Sequence, residues 1–345
     1  MSTPPNTAHS MGRPARVLDR SKLAADVRAL SRLSPGRGLL AIAREWLLVG
    51  ISVGAAVASG HPLVWLVSGV FIATRQHAMM ILMHEASHYR LTGKRQVDDT
   101  LSDLLLALPN HVLTRRYRVR HIAHHQFAND RTRDPDRVAV LADDQWWFPR
   151  PRWSGAAVFI RDLLGVNFPR FAKVIPHYSP WTALLARFDA EAESSTQATN
   201  AEVVRILLFC GALLGVLAAT GGWIAYALLW LVPGVTVLPA LLRLRGLAEH
   251  DGHDVGTDEV SVSRHVEVGA VEALVLAPFH INYHAAHHLF PSVPWYNLPA
   301  LHARLLEEPS YRDRLVTAPS YTGRGGLLAS LMPVGPARQS VPAMG

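Results

Sequence analysis

The chain has 345 residues, of which 49% are hydrophobic and only 18% are charged. This balance is typical of a membrane protein rather than of two average soluble domains. The single cysteine, Cys210, excludes a disulfide within the chain and any iron–sulfur or structural zinc site built from several cysteines. The net charge of +7 comes mostly from arginines that flank apolar segments, which favours a membrane surface over nucleic acid as a partner.

The first elements predicted from the N-terminus are a tail and a helical hairpin. Residues 1–38 are basic and are expected to form a largely disordered tail without a signal peptide. Apolar stretches follow at about 39–59 and 62–84, separated by the tight turn Gly60-His61-Pro62. Each stretch is long enough to cross a bilayer, so the pattern predicts two antiparallel transmembrane helices.

A second hairpin is predicted later in the chain. It runs over about 203–219, turns at Thr220-Gly221-Gly222 and returns over about 223–242. The end of the chain is rich in Pro, Gly and Ser, so residues 311–345 are expected to form a flexible tail. The folded membrane domain is therefore predicted to span 39–310.

Three further segments are apolar or amphipathic but too short to span a membrane: 101–109, 155–175 and 268–280. They are predicted to be interfacial or re-entrant helices near the site described below. Both hairpin turns lack Lys and Arg, whereas the remaining connections are rich in arginine, so both termini are expected in the cytoplasm. The predicted fold is an all-α integral membrane protein with four transmembrane helices in two hairpins and a cytoplasmic helical cap that holds a metal site.

Histidines carry the strongest chemical signal in the sequence. Eight of them form three clusters, which are His84 and His88 in HEASH, His121, His124 and His125 in HIAHH, and His284, His287 and His288 in HAAHH. Because residues at i, i+3 and i+4 share one helix face, each cluster is expected to offer two or three nitrogens toward one point. The total exceeds the four ligands of one zinc site and indicates two metals, with iron, zinc, copper or nickel as candidates. His250 is the expected ninth ligand, and His253 competes for that role.

Carboxylates are scarce near the histidine clusters. The nearest in sequence are Glu85, Asp130, Asp134, Asp136 and Glu249. They are expected to accept the second ring N–H of ligating histidines, although capping or salt-bridge roles are an equal alternative.

Two other classes of protein fit the histidine pattern less well. HEASH also matches HExxH, the motif of zinc proteases, but that interpretation leaves two clusters unexplained. A metal transporter would carry its histidines within the spans, whereas here they lie at one end of them.

The chain resembles the membrane fatty acid desaturase and hydroxylase superfamily. The resemblance rests on MHEASH at 83–88, HIAHH at 121–125, AEH at 248–250 and NYHAAHHLFPSVPWYNLPALH at 282–302. It implies four spans and cytoplasmic histidine boxes that hold two non-haem irons. It also implies an O2-dependent desaturase that acts on a carrier-bound or lipid-bound acyl chain or another lipid-like chain. A hydroxylase on the same scaffold is the alternative.

The resemblance has further implications for partners and location. The chain contains no cytochrome-b5-like module, so electrons are expected from a separate donor of the ferredoxin or cytochrome type. The expected location is a bacterial-type inner membrane, with membrane lipid as a partner. Substrate contacts are expected from Met79, Met80, Met83 and segment 268–280.

Overall fold

The computed structural model describes residues 13–250 and 256–334, and most of these are helical. The prediction of an all-α fold is wrong in one detail, because the described residues also contain a small parallel sheet. Strand β1, Arg264–Val266, pairs with strand β2, Val316–Ala318, with Arg264 opposite Val316. Strands of three residues are too short to show the alternating pattern from which strands are predicted.

The helices are named in chain order. They are α1 Arg20–Leu30, α2 Pro35–Ser59, α3 Pro62–Ser87, α4 Arg95–Ser102, α5 Thr114–Phe127, α6 Pro135–Leu141, α7 Arg152–Leu163, α8 Phe168–Phe171, α9 Pro180–Leu185, α10 Asn200–Thr220, α11 Trp223–Tyr226, α12 Val232–Val235, α13 Val237–His250, α14 Ala270–Val275, α15 His284–Leu289, α16 Leu298–Leu305, α17 Pro309–Arg312 and α18 Leu327–Leu331. Short 3₁₀ or π turns lie at Asp103–Ala107, Leu108–Asn110, Asp144–Trp146, Ile175–His177, Ala186–Phe188, Ala227–Leu231, Pro278–Tyr283 and Trp295–Asn297.

Four helical stretches of the described chain are long and apolar enough to cross a membrane. They are Pro35–Ser59, Pro62–Ser87, Asn200–Thr220 and Trp223–His250. Each contains one of the predicted spans, and the last continues eight residues beyond the predicted end at 242. The turn residues act as expected, since Gly60 and Gly221 end α2 and α10 in the left-handed conformation that glycine adopts without strain.

Helix α3 is the central element of the molecule. In the most apolar 18-residue stretch of α3, 72% of the residues are buried by other parts of the chain, whereas in that of α10 only 11% are buried. Helix α2 packs along α3, and α5 and α13 contact α3 as well. Because α3 carries the first histidine cluster at its C-terminal end, its burial fixes that cluster relative to the two helices that carry others.

The short apolar segments fold as short helices. Segment 101–109 continues α4 as a π turn and a 3₁₀ turn, segment 155–175 contains most of α7 and all of α8, and segment 268–280 contains α14. Helix α7 is held to the fourth span by a bidentate ion pair between Asp162 and Arg243, whose side chains are both 0% exposed.

The structure differs from the predictions at both ends of the chain. Helix α1 forms inside the predicted disordered tail, with Leu23 buried and the Leu30 carbonyl accepting a bond from Asn297. Within the predicted flexible tail, β2 pairs with β1, and Tyr311, Tyr321 and Leu327 are buried. The reason is non-local packing: these segments hold few apolar residues, but each finds a partner far away in sequence.

Candidate metal centre

Four helix ends deliver the clustered histidines to one region. His84 lies in the last turn of α3, and His88 follows at its C-terminal cap. Helix α5 carries the HIAHH cluster, α15 carries the HAAHH cluster, and His250 is the last residue of α13. The structure thus brings together all nine histidines expected from the sequence. The competing residue, His253, lies outside the described residues.

The nine histidines form two groups in which the ligand atoms lie within 4.8 Å of one another. Group one comprises His84, His88, His121, His125 and His287, and group two comprises His124, His250, His284 and His288. These two groups match the expectation of two metals in number.

The expectation that each cluster offers its nitrogens toward one point holds for His84 and His88 but is wrong for HIAHH and HAAHH. In HIAHH, the first and last histidines join group one and His124 joins group two; in HAAHH, the first and last join group two and His287 joins group one. The i+3 side chain lies about 60° to one side of residue i on a 3.6-residue helix, and i+4 about 40° to the other. Two metals placed side by side therefore divide each cluster in the same way.

The spacing of the ring nitrogens fits metal ligation. In group one, the Nε2 atom of His121 lies 2.9 Å from that of His88 and 3.0 Å from that of His125. In group two, the Nε2 atom of His250 lies 3.0 Å from those of His124 and His284. Two nitrogens bound at right angles about 2.1 Å from one metal ion lie about 3.0 Å apart, so the convergent lone pairs suit a shared cation.

The protonation state of the histidines also suits ligation. Burial, and then the Arg90 and Arg118 charges, lower the pKa of His88 to about 3. Burial followed by neighbouring histidines holds the pKa of His125 and His287 well below the ordinary value. The neutral imidazole is the form that binds a metal. His84 adds a further sign, because both of its ring nitrogens are buried without a hydrogen-bond partner among the described residues.

Asp134 is the carboxylate that orients a clustered histidine. Both of its oxygens lie 3.0 Å from Nδ1 of His124, so they accept its N–H and leave Nε2 facing group two. Burial alone would raise the pKa of Asp134, but the hydrogen bond and charge of His124 lower it, so the carboxylate stays ionised. Asp136 is farther away, at 3.8 Å from the same nitrogen.

Of the two roles expected for Asp130, the structure favours capping and salt-bridge formation over support of a histidine. Its side chain accepts bonds from Thr132 and from both backbone and side chain of Arg133, and it caps a turn instead. Burial alone would raise the pKa of Asp130, yet these bonds lower it to about 2.

Glu85 does not occupy the position of a protease general base. One oxygen accepts the Trp295 N–H at 3.0 Å, and the other lies 3.4 Å from Nδ1 of His84, on the side away from Nε2. His84 and His88 also share group one with three further histidines, whereas a zinc protease keeps a coordination position open for water. Both observations argue against the HExxH interpretation.

Glu249 lies between group two and a cation. Its Oε1 accepts Nε of Arg245 at 2.7 Å, and its Oε2 lies 3.5 Å from Nε2 of His284. It therefore faces the nitrogen side of group two rather than the far side of a ring.

Two other histidines form a separate pair. The rings of His265 and His302 stack at 4.3 Å, and Nδ1 of His302 bonds the Tyr311 hydroxyl at 2.9 Å. Burial lowers the pKa of each to about 4. Neither belongs to the two groups, so this pair stabilises the packing of β1 against α16 and α17.

A cavity of about 410 Å³ opens beside group two. Its wall includes His124, His250 and His284 from that group and His121 from group one. Of the side chains expected to contact substrate, Met80 lines the cavity, whereas Met79 and Met83 are buried in the core and segment 268–280 is not part of the wall. Helical period alone does not show which side of α3 faces the cavity.

Sequence reasoning missed several residues that line this cavity. They include Tyr117, Trp146, Phe171 and Arg245. Tyr117 and Arg245 could have been found, because they lie four residues before His121 and Glu249 and therefore on the same helix faces. Trp146 lies in a 3₁₀ turn and Phe171 ends the short helix α8, and the positions of both elements depend on the whole fold.

Comparisons with known proteins agree with this geometry. The family model described as fatty acid desaturase matches residues 60–319. A dihydrorhizobitoxine desaturase from Bradyrhizobium elkanii is 24% identical over 289 residues, which cover 82% of this chain and 79% of that protein. The matched region includes both histidine groups and three of the four candidate spans. The chain belongs to the fatty acid desaturase family and is an oxidoreductase of the membrane.

Proposed function

We propose that this protein is an O2-dependent desaturase with two non-haem irons, one held by each histidine group. The observation that carries the proposal is the division of nine convergent imidazoles into adjacent groups of five and four. Imidazole suits iron but also zinc, copper and nickel, and membership of the desaturase family favours iron among them. When bound, the two irons supply the redox chemistry by which O2 is reduced and unactivated C–H bonds are broken.

The reaction balances with an external reductant. Two hydrogens leave adjacent carbons and a C=C bond forms, while O2, two electrons and two further protons give two waters. We propose that a separate donor of the ferredoxin or cytochrome type supplies those electrons, because a single cysteine, Cys210, cannot hold an iron–sulfur cluster. The Bradyrhizobium elkanii relative, at 24% identity, is named a desaturase, and this supports desaturation over hydroxylation.

The protein's own residues hold and shield the site. Asp134 keeps the proton of His124 on Nδ1, so that Nε2 stays available to group two. The cavity beside group two is the proposed substrate site, and its apolar side chains, such as Met80, Val112 and Leu242, exclude water and align a carbon chain. Placement within about an ångström decides which C–H bonds react.

We also propose the orientation of the protein in its membrane. The turns at 60–62 and 220–222 carry no Lys or Arg, whereas the opposite ends of the spans are rich in arginine. The positive-inside rule then supports cytoplasmic termini and histidine groups in a bacterial-type inner membrane. Membrane lipid surrounds the four spans, and the substrate is an acyl or lipid-like chain, bound to a carrier or to a lipid, or a smaller chain of similar chemistry.

The test is product analysis on detergent-purified, iron-loaded protein. The protein is supplied with O2, NADPH, a ferredoxin and its reductase, together with a panel of carrier-bound, lipid-bound and free saturated chains. We expect a product that has lost two hydrogens, and none from His124→Ala. A product that has gained one oxygen atom would establish the hydroxylase instead, and a zinc-dependent peptidase activity would refute both.

A further inference from the structure

The cavity beside group two carries several polar side chains on a mostly apolar wall. Its wall carries the ion pair of Arg245 and Glu249 and the phenol of Tyr117 between apolar side chains such as Met80 and Leu242. In ligand pockets, a few polar groups on an apolar wall fix the orientation of a polar group of the ligand. These three residues therefore bear on what the substrate is.

Arg245 has hydrogen-bonding capacity that the protein does not use. Its Nε donates to Glu249, but neither terminal NH2 group has a hydrogen-bond acceptor among the described residues. The side chain is only 11% exposed, and it lines the cavity. Leaving charged donors unpaired in a largely buried place is costly, so a ligand oxygen or water must meet them.

Tyr117 provides a second donor on the same cavity. Its hydroxyl is also without a hydrogen-bond partner in the part of the chain that the structure describes. Tyr117 and Arg245 line the same cavity; burial raises the pKa of Tyr117, and the charge of Arg245 opposes that rise. The Tyr117 ring stacks on His121 at 5.2 Å, so this donor lies directly beside group one.

The position of Arg245 ties it to group two. Its partner Glu249 reaches to 3.5 Å from Nε2 of His284, and His250 follows Glu249 in the same helix. An oxygen bound by Arg245 and Tyr117 is therefore held next to both histidine groups. In contrast, the exposed Lys173 at the edge of the cavity could meet a substrate only at its mouth.

We propose that this cavity binds a small substrate by its free carboxylate, with Arg245 as the principal donor and Tyr117 as the second. A guanidinium matches a carboxylate with two parallel hydrogen bonds, and a phenol hydroxyl adds a third. The proposal rests on the proposed desaturase function and names its substrate class: a short carboxylic acid oxidised a few bonds from its carboxylate. A volume of about 410 Å³ lies at the small end of the roughly 300–1,000 Å³ of ligand pockets, which suits a short chain.

The test compares two ligands that differ only in charge. Hexanoate and hexanamide are titrated calorimetrically into iron-loaded, detergent-purified protein without reductant, so that no turnover occurs. We expect hexanoate to bind about tenfold more tightly than hexanamide, because the charge-assisted pair forms only with the carboxylate. Arg245→Met is expected to abolish the preference, and Tyr117→Phe to reduce it a few-fold, with iron content unchanged in both.

Controls make the outcome decisive. Lys173→Met removes a cation at the mouth and is expected to leave the preference intact. If Arg245→Met does not fold, Arg245→Lys keeps the charge without the planar fork and is expected to retain only part of the preference. Equal binding of the two ligands by the wild type would overturn the proposal. So would a preference that persists without Arg245, since the carboxylate would then be bound by the metals or by another cation of the wall.

The same experiment separates the two proposals. If the protein shows the Arg245-dependent preference but binds no iron, the proposed carboxylate site stands and the proposed desaturase function is refuted. If the protein desaturates long carrier-bound chains and shows no preference for hexanoate, the proposed desaturase function stands and the proposed carboxylate site is overturned.

Discussion

Replacing Asp134 by asparagine is expected to weaken metal binding at group two and to leave group one intact. Both carboxylate oxygens lie 3.0 Å from Nδ1 of His124, and this is the bond that fixes the ring and its tautomer. Loss of such a support typically lowers metal affinity about 10- to 100-fold, which corresponds to roughly 1.4–2.8 kcal/mol.

The same substitution is expected to change folding little. Asp134 also caps α6 by accepting the backbone N–H of Asp136 at 2.9 Å. Asparagine caps helices about as well as aspartate, so the free energy of unfolding should fall by less than about 1 kcal/mol. The effect on the metal can therefore be measured on folded protein.

The assay is competition with an iron chelator, followed by elemental analysis of the protein. Asp134→Asn should release one of its two irons at a chelator concentration about 10- to 100-fold lower than the wild type does. Asp130→Asn is the matched control, because Asp130 lies four residues away and bonds Thr132 and Arg133 but no histidine. The reasoning would be refuted if Asp134→Asn retained iron as tightly as the wild type, or if Asp130→Asn released iron as readily as Asp134→Asn.

Three further predictions concern stability. Gly38→Ala should lower the free energy of unfolding by about 1–3 kcal/mol, because the new Cβ would lie 2.6 Å from the backbone oxygen of Leu91, which follows α3. Gly54→Ala places its Cβ in open space and should leave the free energy of unfolding unchanged. Equal effects of the two substitutions in thermal denaturation would contradict this prediction. Asp162→Asn should cost about 3–5 kcal/mol by leaving the buried Arg243 unpaired, and a loss below about 1 kcal/mol would contradict that prediction. His302 has a pKa of about 4 when folded against 6.5 when unfolded, so the unfolded chain binds the proton and stability falls as pH drops from 6.5 toward 4. In melting curves over that range, His302→Gln should lose less stability than the wild type, and parallel losses would show that His302 does not titrate as inferred.

The sequence predicted the spans and the set of histidines because both depend on local patterns. A run of about twenty apolar residues is sufficient to predict a membrane-spanning helix, and HxxHH is sufficient to predict three imidazoles on one side of a helix. The grouping could not be predicted from local pattern, because it depends on where α3, α13 and α15 place their histidines around His124 and His125.

The remaining differences also have non-local causes. Asp130 follows His125 by five residues and Asp134 by nine, yet it is the more distant Asp134, at the start of α6, that contacts His124. Helix α1 depends on α16, and β2 depends on β1, which precedes it by about fifty residues. The role proposed for Arg245 and Tyr117 depends on a cavity that five separate parts of the chain enclose.

Metal content per chain tests the central claim most directly. Iron is measured by elemental analysis and Mössbauer spectroscopy on wild type, His287→Ala and His284→Ala, two variants of one cluster that affect different groups. We predict two irons in the wild type and one in each variant, with the remaining iron in group two for His287→Ala and in group one for His284→Ala. A wild type with a single metal, or a variant of either kind that keeps both irons, would contradict two separate metal sites that share the HIAHH and HAAHH clusters.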